Sequence, residues 1–527
     1  MSDSPARDTR ILADLPRVQA RERGDAPALV FGERVTTFAE LDRASSRVAQ
    51  ALIAAGVGPG TRVAFLAKDS DHLFEAIFGT AKAGGVVMGI NWRLAPGEIR
   101  YILNDGGAEV LLVGREFFPK VQAILGELES VRTVVALDGG HPEWPAFDGW
   151  RDAHEPVDPA LPADPEDVVV QMYTSGTTGH PKGVQLPNRS FFAVVRSMKQ
   201  HGDDWIGWRP DDVSLFNIPS FHIGGLWWAV TTLNAGARGI VMEAFVAWQA
   251  LELIERHRVT KVCMVPAMIQ VVLAEPACAR TDLGSLEYLV YGGSPIPRPL
   301  LEKALPTFGC RFAQIYGLTE TGNTAVCLRP EDHDDLESER LKAAGKPYPG
   351  VRLRCIDREG NELPPRAVGE VCIHSPANMI GYWNLPEATA ATLRDGWIHT
   401  GDAGYLDEDG YVYIHDRVKD MIIYAGENIY PAEIESVLCG HPAVAEAAVI
   451  GIPDERWGEA VQAIVVLKEG ASARPAQILG HVRRELADFK VPKSVAFADA
   501  LPRTPSGKIK KAELRAPYWQ GRERQVN

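Results

Sequence analysis

The sequence predicts an α/β protein in two parts: a large N-terminal domain of mixed, largely parallel sheets flanked by helices, and a small, mobile α+β domain at the C-terminus. The first observation is alternation of strand-like and helix-like patterns over the first hundred residues, which implies a largely parallel sheet covered on both faces. The second is length, since 527 residues exceed a single typical domain several-fold. The third is a late break in pattern near Lys419, which divides the chain into residues 1–417 and 418–527.

The elements follow in order. In "TTFAELDRASSRVAQALIAAGVGPG", Thr37 and Glu40 have the spacing of a capping box, apolar residues recur at helical intervals, and Gly56 marks a stop. "RVAFLAK" reads as a strand, "HLFEAIFGTAKAG" as a helix and "EVLLVG" as a buried strand. The Pro- and Asp-rich "HEPVDPALPADPED" is a surface linker, after which "VVVQMY" begins a further strand. Near the break, two strands flank Glu408, Asp409 and Gly410 as a hairpin, followed by the charged run "DRVKD". The last hundred or so residues, with "AAVIGIPD", "AIVVLKEG" and "ILGHVRRELADF", suffice for the small domain.

Composition excludes several classes. The chain is 46% apolar and 24% charged, and no stretch approaches the ~18 consecutive apolar residues of a membrane span. The polar N-terminus lacks the apolar core of a secretory signal, so a cytoplasmic location is expected. Seven scattered cysteines with no CxxC pair argue against a disulfide framework or a zinc motif. A net charge of −14 disfavours general nucleic-acid binding.

The stretch "YTSGTTGHPKGV", Tyr173 to Val184, leaves the C-terminal end of a predicted strand, where ligands of α/β sheets bind. Thr174, Ser175, Thr177 and Thr178, interleaved with Gly176 and Gly179, offer hydroxyl and backbone donors that suit polyphosphate oxygens, and Lys182 adds a positive charge. Pro181 and Gly183 around Lys182 depart from the GxxxxGK[ST] loop of common NTPases. Composition alone reads equally as an ordinary polar turn between a strand and a helix.

The whole string resembles the phosphate loop of the acyl-adenylate-forming superfamily, which includes acyl-CoA synthetases, firefly luciferase and the adenylation domains of peptide synthetases. Further matching stretches occur in the family's order: "PSFHIGG", "YGGSPIP", "QIYGLTETG", "GYWNLPEAT", "WIHTGDAGYLDEDGYVYIHDRVKDMIIYAGENIYPAEIE", "GIPDERWGE" and "LPRTPSGKIKK". They span about Ala26 to Lys511.

The resemblance implies an enzyme that couples a carboxylic acid to a thiol through an acyl-adenylate, using ATP, Mg²⁺ and coenzyme A. Thr174 to Gly179 and Lys182 would hold the β- and γ-phosphates. Thr319 would touch the α-phosphate, and Glu320 would bind the metal. Tyr316 would lie on adenine, with Gly293 and Ser294 lining that slot, while Asp402 and Arg417 would hold the ribose. Taken singly, Asp402 reads as a turn residue and Arg417 as a surface ion pair. Lys508 would bridge substrate carboxylate and α-phosphate, although a solvated lysine beside Lys510 and Lys511 is its plain reading. Lys419 would be the hinge, and Gly426 would leave room for the pantetheine arm.

Peptide-synthetase relatives carry an Asp for the amino group where this chain has His222, which disfavours an α-amino acid. In relatives this histidine swings between the acyl and coenzyme A regions; its plain reading is a packed neutral side chain. Ile223, Gly224, Gly225, Leu226 and Trp227 would form the acyl pocket, with Ala267, Met268, Tyr291 and Leu318 as further apolar walls. Trp227 and Trp228 read equally as core residues of a helix. The expected substrate is a medium- or long-chain fatty acid, with an aromatic acid of benzoate or hydroxycinnamate type as the alternative. A luciferase-like monooxygenase and a non-catalytic nucleotide binder are readings of another class. Self-association as a homodimer is left open by the sequence.

Overall fold

The computed structural model describes residues 9–174, 181–417, 420–424, 427–454, 458–503 and 509–520, and only the backbone of 416, 417, 423, 427, 428 and 458. Two large sheets form the main body. One has nine strands, of which six run parallel through Arg311–Tyr316, Tyr288–Gly292, Lys261–Met264, Val213–Phe216, Arg238–Val241 and Pro27–Phe31. The other has seven, with Val168–Thr174, Val86–Gly89, Arg62–Leu66, Ala108–Val113 and Thr133–Ala136 parallel. These strands are buried on both faces, which explains their almost unbroken apolar runs.

The largest apolar cluster fills the layer between these sheets. It joins Val63 and Met172 of the seven-stranded sheet to Phe216, Val290 and Ile315 of the nine-stranded one through the helices Phe38–Ala54, Asp71–Lys82 and Ile223–Asn234. A second cluster packs Ala247–His257, Pro266–Ala274 and Arg298–Phe308 on the outer face of the nine-stranded sheet. A third covers the outer face of the other sheet with Pro96–Gly106. The expected mixed α/β body is therefore present, layered helix, sheet, helix, sheet, helix.

The expected capping box holds: Glu40 donates its amide to Thr37 Oγ1 at 3.2 Å, and Glu40 Oε2 accepts from the Thr37 amide at 2.8 Å. The hairpin around Glu408 to Gly410 joins Trp397–Leu406 to Val412–Arg417 inside a third, antiparallel sheet. A fourth sheet is drawn entirely from Ile422–Tyr424, Glu427–Ile429, Val444–Asp454, Gly458–Leu467 and Ser494–Phe497, with its own core around Ile434, Val449 and Ile478. This is the small α+β unit. Among the described residues, no helix is long and apolar enough to cross a membrane.

Candidate active site

One local difference from expectation shapes the site. Val168–Thr174 is followed by an antiparallel return strand, Lys182–Pro187, rather than by a helix. Val184 and Leu186 are fully buried at alternate positions, a period that suits a strand. The ladder sets Thr174 opposite Lys182, so both ends of the phosphate-loop candidate stand together. Ser175, Gly176, Thr177, Thr178 and Gly179 lie outside the described residues.

Gly381–Tyr382 adds to the edge of this hairpin, pairing Tyr382 with Val184. Its ring lies 4.9 Å from Lys182 Nζ, and its hydroxyl donates to Glu320 Oε1 at 2.7 Å. Tyr382 thus links the lysine at the phosphate loop to the acidic residue expected to bind metal. The Met379 amide also donates to the Glu320 carbonyl at 2.8 Å, tying the short 3₁₀ turn Thr319–Thr321 to the same edge. The quoted motif "GYWNLPEAT" holds this tyrosine, but no periodicity in the sequence marks its partner 62 residues away.

On the nine-stranded sheet, the nucleotide candidates all follow C-terminal ends of parallel strands: Gly293 and Ser294 after Tyr288–Gly292, and Tyr316 to Glu320 at the end of Arg311–Tyr316. Gly293 and Ser294 are exposed, whereas Tyr316, Thr319 and Glu320 are half-buried. Tyr316 donates its hydroxyl to Asp402 Oδ2 at 2.6 Å. The expected adenine and ribose residues, 86 positions apart, therefore touch. Asp402 is buried and stands in register with Arg417 on the adjacent strand. A buried carboxylate needs hydrogen-bond donors, and a ribose diol would supply two more.

The acyl segment bridges the two large sheets. His222 is the half-buried residue before the helix Ile223–Asn234, its ring 4.4 Å from Phe221. Ile223, Leu226 and Trp227 join the central cluster, with Leu318 packed against it. The two glycines differ. A Cβ at Gly225 would stand 2.3 Å from the Ile218 carbonyl oxygen, so glycine there answers to the backbone of its own segment rather than to a substrate. At Gly224 the nearest atom would be Asn323 Oδ1 at 3.5 Å, an ordinary van der Waals contact, so no backbone crowding demands glycine there.

Trp228 is fully buried and meets Trp208 edge-on at 5.2 Å, so the core reading describes it. Ala267 and Met268 open the helix Pro266–Ala274 at the end of another parallel strand, with Met268 Sδ 3.6 Å from Asn217 Nδ2. Tyr291 shares the outer cluster with Met268 and is set apart from Ile223, Leu226, Trp227 and Leu318 at the central one. Strand alternation sends Val290 into the central cluster and Tyr291 to the outer one, where its hydroxyl meets His333 Nε2 at 2.9 Å.

Sequence reasoning missed Asp69. This carboxylate is buried just past the strand Arg62–Leu66 and accepts from the Ser220 amide at 3.0 Å and the Ser220 hydroxyl at 2.6 Å, pinning "PSFHIGG" to the seven-stranded sheet. Burial raises its pKa to about 7, the hydrogen bonds from Ser220 acting the other way. An unfolded aspartate titrates near 3.8, so the folded chain holds an extra proton between these values. Stability from this group is greatest below that window and falls as pH rises through about 7, by up to roughly 4 kcal/mol. Asp69→Asn keeps an acceptor for Ser220 and loses the charge. It is expected to be more stable than the parent at pH 8 but not at pH 4, as read by urea unfolding at both; equal differences at the two pH values would reject this account.

Lys508, Lys419 and Gly426 lie outside the described residues, as does the side chain of Arg417. Across the rest, Lys182, Tyr382, Glu320, Tyr316 and Asp402 are joined by these contacts into one set of basic, acidic and aromatic groups that suits a nucleoside triphosphate.

Residues 16–383 match the profile of the AMP-binding enzyme family, and residues 433–508 that of the AMP-binding enzyme C-terminal domain. The chain belongs to this family, within the acyl-adenylate-forming superfamily, and is an acid-activating ligase. It is 51% identical over 510 residues to the fatty acid–[acyl-carrier-protein] ligase ScoC of Streptomyces coeruleorubidus, covering 96% of each chain. It is 40% identical to a feruloyl-CoA synthase of an Amycolatopsis species, covering 96% of this chain and 99% of that one. Among solved structures it resembles ATP-bound MatB from Rhodopseudomonas palustris, with a TM-score of 0.85 at 31% identity over 96% of this chain and 99% of that one.

Proposed function

We propose that this enzyme activates a medium- or long-chain fatty acid as acyl-AMP, releasing pyrophosphate, and passes the acyl group to the thiol of a phosphopantetheine arm, with coenzyme A as its carrier. The observation that carries the reading is the pairing of Tyr316 with Asp402 beside the Lys182, Tyr382 and Glu320 chain. A carboxylate is a poor electrophile, and ATP supplies the leaving group. The acid, already ionised near neutral pH, attacks the α-phosphorus without a strong base, so the protein's task is orientation and charge stabilisation.

In this reading Lys182 and the phosphate loop hold the departing pyrophosphate, Thr319 meets the α-phosphate, and Asp402 with Arg417 holds the ribose. Glu320 fits a hard cation, because Tyr382 occupies one acceptor position on Oε1 and the carboxylate keeps further oxygen lone pairs for a metal. Bound there, Mg²⁺ would neutralise phosphate charge. The small domain turns about Lys419, presenting Lys508 for adenylation and Gly426 for thioester formation.

The fatty-acid assignment draws support from the uncrowded glycine at Gly224, from the apolar Ile223, Leu226, Trp227 and Leu318, and from the fatty-acid substrate named for the relative at 51% identity. An aromatic acid is the second reading, favoured by the feruloyl-CoA synthase relative. An acid panel from acetate through palmitate to benzoate and ferulate tests both, scored for AMP and pyrophosphate with coenzyme A or a phosphopantetheinylated carrier protein present. Highest kcat/KM on an eight- to sixteen-carbon acid with coenzyme A is expected. A preference for ferulate would transfer the assignment to aromatic acids, a preference for the carrier protein would change the acceptor, and ADP in place of AMP would overturn the mechanism.

A further inference from the structure

We infer that Glu370, Cys372 and His399 form a binding site for a borderline-soft divalent cation of the Zn²⁺ class, set beside the strand that carries Asp402. The three side chains share one face of the antiparallel third sheet. Cys372 and His399 are cross-strand partners on Gly369–His374 and Trp397–Leu406, and Glu370 lies two residues before Cys372 on the same strand face. One donor atom from each falls within 4.8 Å of both others. His399 Nδ1 is 3.0 Å from Glu370 Oε2 and 3.7 Å from Cys372 Sγ.

Those separations suit one tetrahedral ion. With metal–nitrogen and metal–oxygen bonds of about 2.0 to 2.1 Å and a metal–sulfur bond of about 2.3 Å, ligand atoms stand roughly 3.3 to 3.6 Å apart. The observed edges bracket these values, so small side-chain rotations close the site without moving either strand. Three protein donors of types S, N and O leave the fourth position for water. The thiol keeps its proton in the apo protein, because burial pushes it up to about 12, with Glu370 adding to the rise and Arg354 opposing it. Binding is therefore an exchange in which the cation takes the sulfur, one proton leaves to solvent, and no electron moves. A hard cation such as Mg²⁺ gains little from sulfur and imidazole, so the ion expected at the phosphates does not compete here.

The position gives the site a consequence. Glu370 Oε1 accepts from the Gly401 amide at 2.9 Å, and Gly401 immediately precedes Asp402. A cation that recruits the Glu370 carboxylate loosens this tether and shifts the aspartate expected to hold the ribose. This coupling rests on the ribose role of Asp402; the existence of the site does not.

Co²⁺ is the probe, because a cobalt–thiolate bond gives a charge-transfer band in the near ultraviolet. Titration of the chelator-treated full chain is expected to develop this band at one equivalent, to lose it on addition of Zn²⁺, and to lack it in Cys372→Ala. That variant is expected to keep its unfolding midpoint and its AMP release with Mg²⁺ alone. Absence of a band in the parent chain, or its persistence in Cys372→Ala, would overturn the site. Equilibrium ATP binding to the parent, with and without one equivalent of Zn²⁺, reads the coupling. A severalfold weaker affinity supports it; a band with unchanged ATP affinity rejects the coupling and retains the site.

Discussion

Lys508→Ala is expected to lower acyl-AMP formation by about 1000-fold while leaving conversion of supplied acyl-AMP to thioester within about twofold. As the acid attacks, negative charge gathers on the α-phosphate oxygens while a second anion, the carboxylate, is held against them. Loss of one preorganised positive group at such a centre costs on the order of 10² to 10³ in rate. Arg503 and Ile509, on either side of this segment, pair as a β-bridge; the Lys510 amide donates to the Pro502 carbonyl at 2.8 Å, and Arg503 bonds Glu446 at 2.8 Å. The flanks are thus tied to the small domain's own sheet by bonds of Arg503, Ile509 and Lys510, none of which the alanine replaces. Pyrophosphate exchange reports the first half-reaction, and thioester yield from synthetic acyl-AMP the second. Equal loss in both would remove Lys508 from the role given to it.

How much of this was legible in the chain depends on the range of the interaction concerned. Local signals were faithful: the Thr37 and Glu40 box, the linker before Val168 and the hairpin around Gly410 are each set by a few adjacent residues. Ordered motifs reach further, because Tyr316 and Asp402 belong to separate motifs that the fold brings to 2.6 Å. Tyr291 shows the limit of reading a motif without its period. Two-residue alternation sends it with Leu289 to the outer layer, away from Val290 and the central cluster. Gly225 looked like space for substrate because emptiness and close backbone approach both call for glycine. Asp69 gave no signal at all. An aspartate in "AKDSDH" reads as a turn residue until a segment 151 positions away docks on it.

Tyr382 permits a separation of the two charges it touches, and with Glu320 it supplies the other large expected effect. Glu320→Gln is expected to lower kcat for adenylation at least about 100-fold, because a neutral amide replaces the carboxylate expected to bind Mg²⁺ beside the phosphates. Tyr382→Phe keeps the aromatic face 4.9 Å from Lys182 Nζ but deletes the hydroxyl that donates to Glu320 Oε1 at 2.7 Å. A hydrogen bond to a charged group contributes about 1.5 to 3 kcal/mol, so a loss of roughly 10- to 100-fold in kcat/KM is expected, smaller than that of Glu320→Gln. Because the missing hydroxyl acts by aiming the carboxylate, the Mg²⁺ concentration for half-maximal rate should rise in Tyr382→Phe, with KM for the acid unchanged. Tyr382→Ala removes the ring as well and is expected to weaken ATP binding further through Lys182. An unaltered Mg²⁺ requirement in Tyr382→Phe, alongside a full loss in Tyr382→Ala, would make Tyr382 a packing residue for Lys182 and leave Glu320 to be aimed by its own turn, Thr319–Thr321.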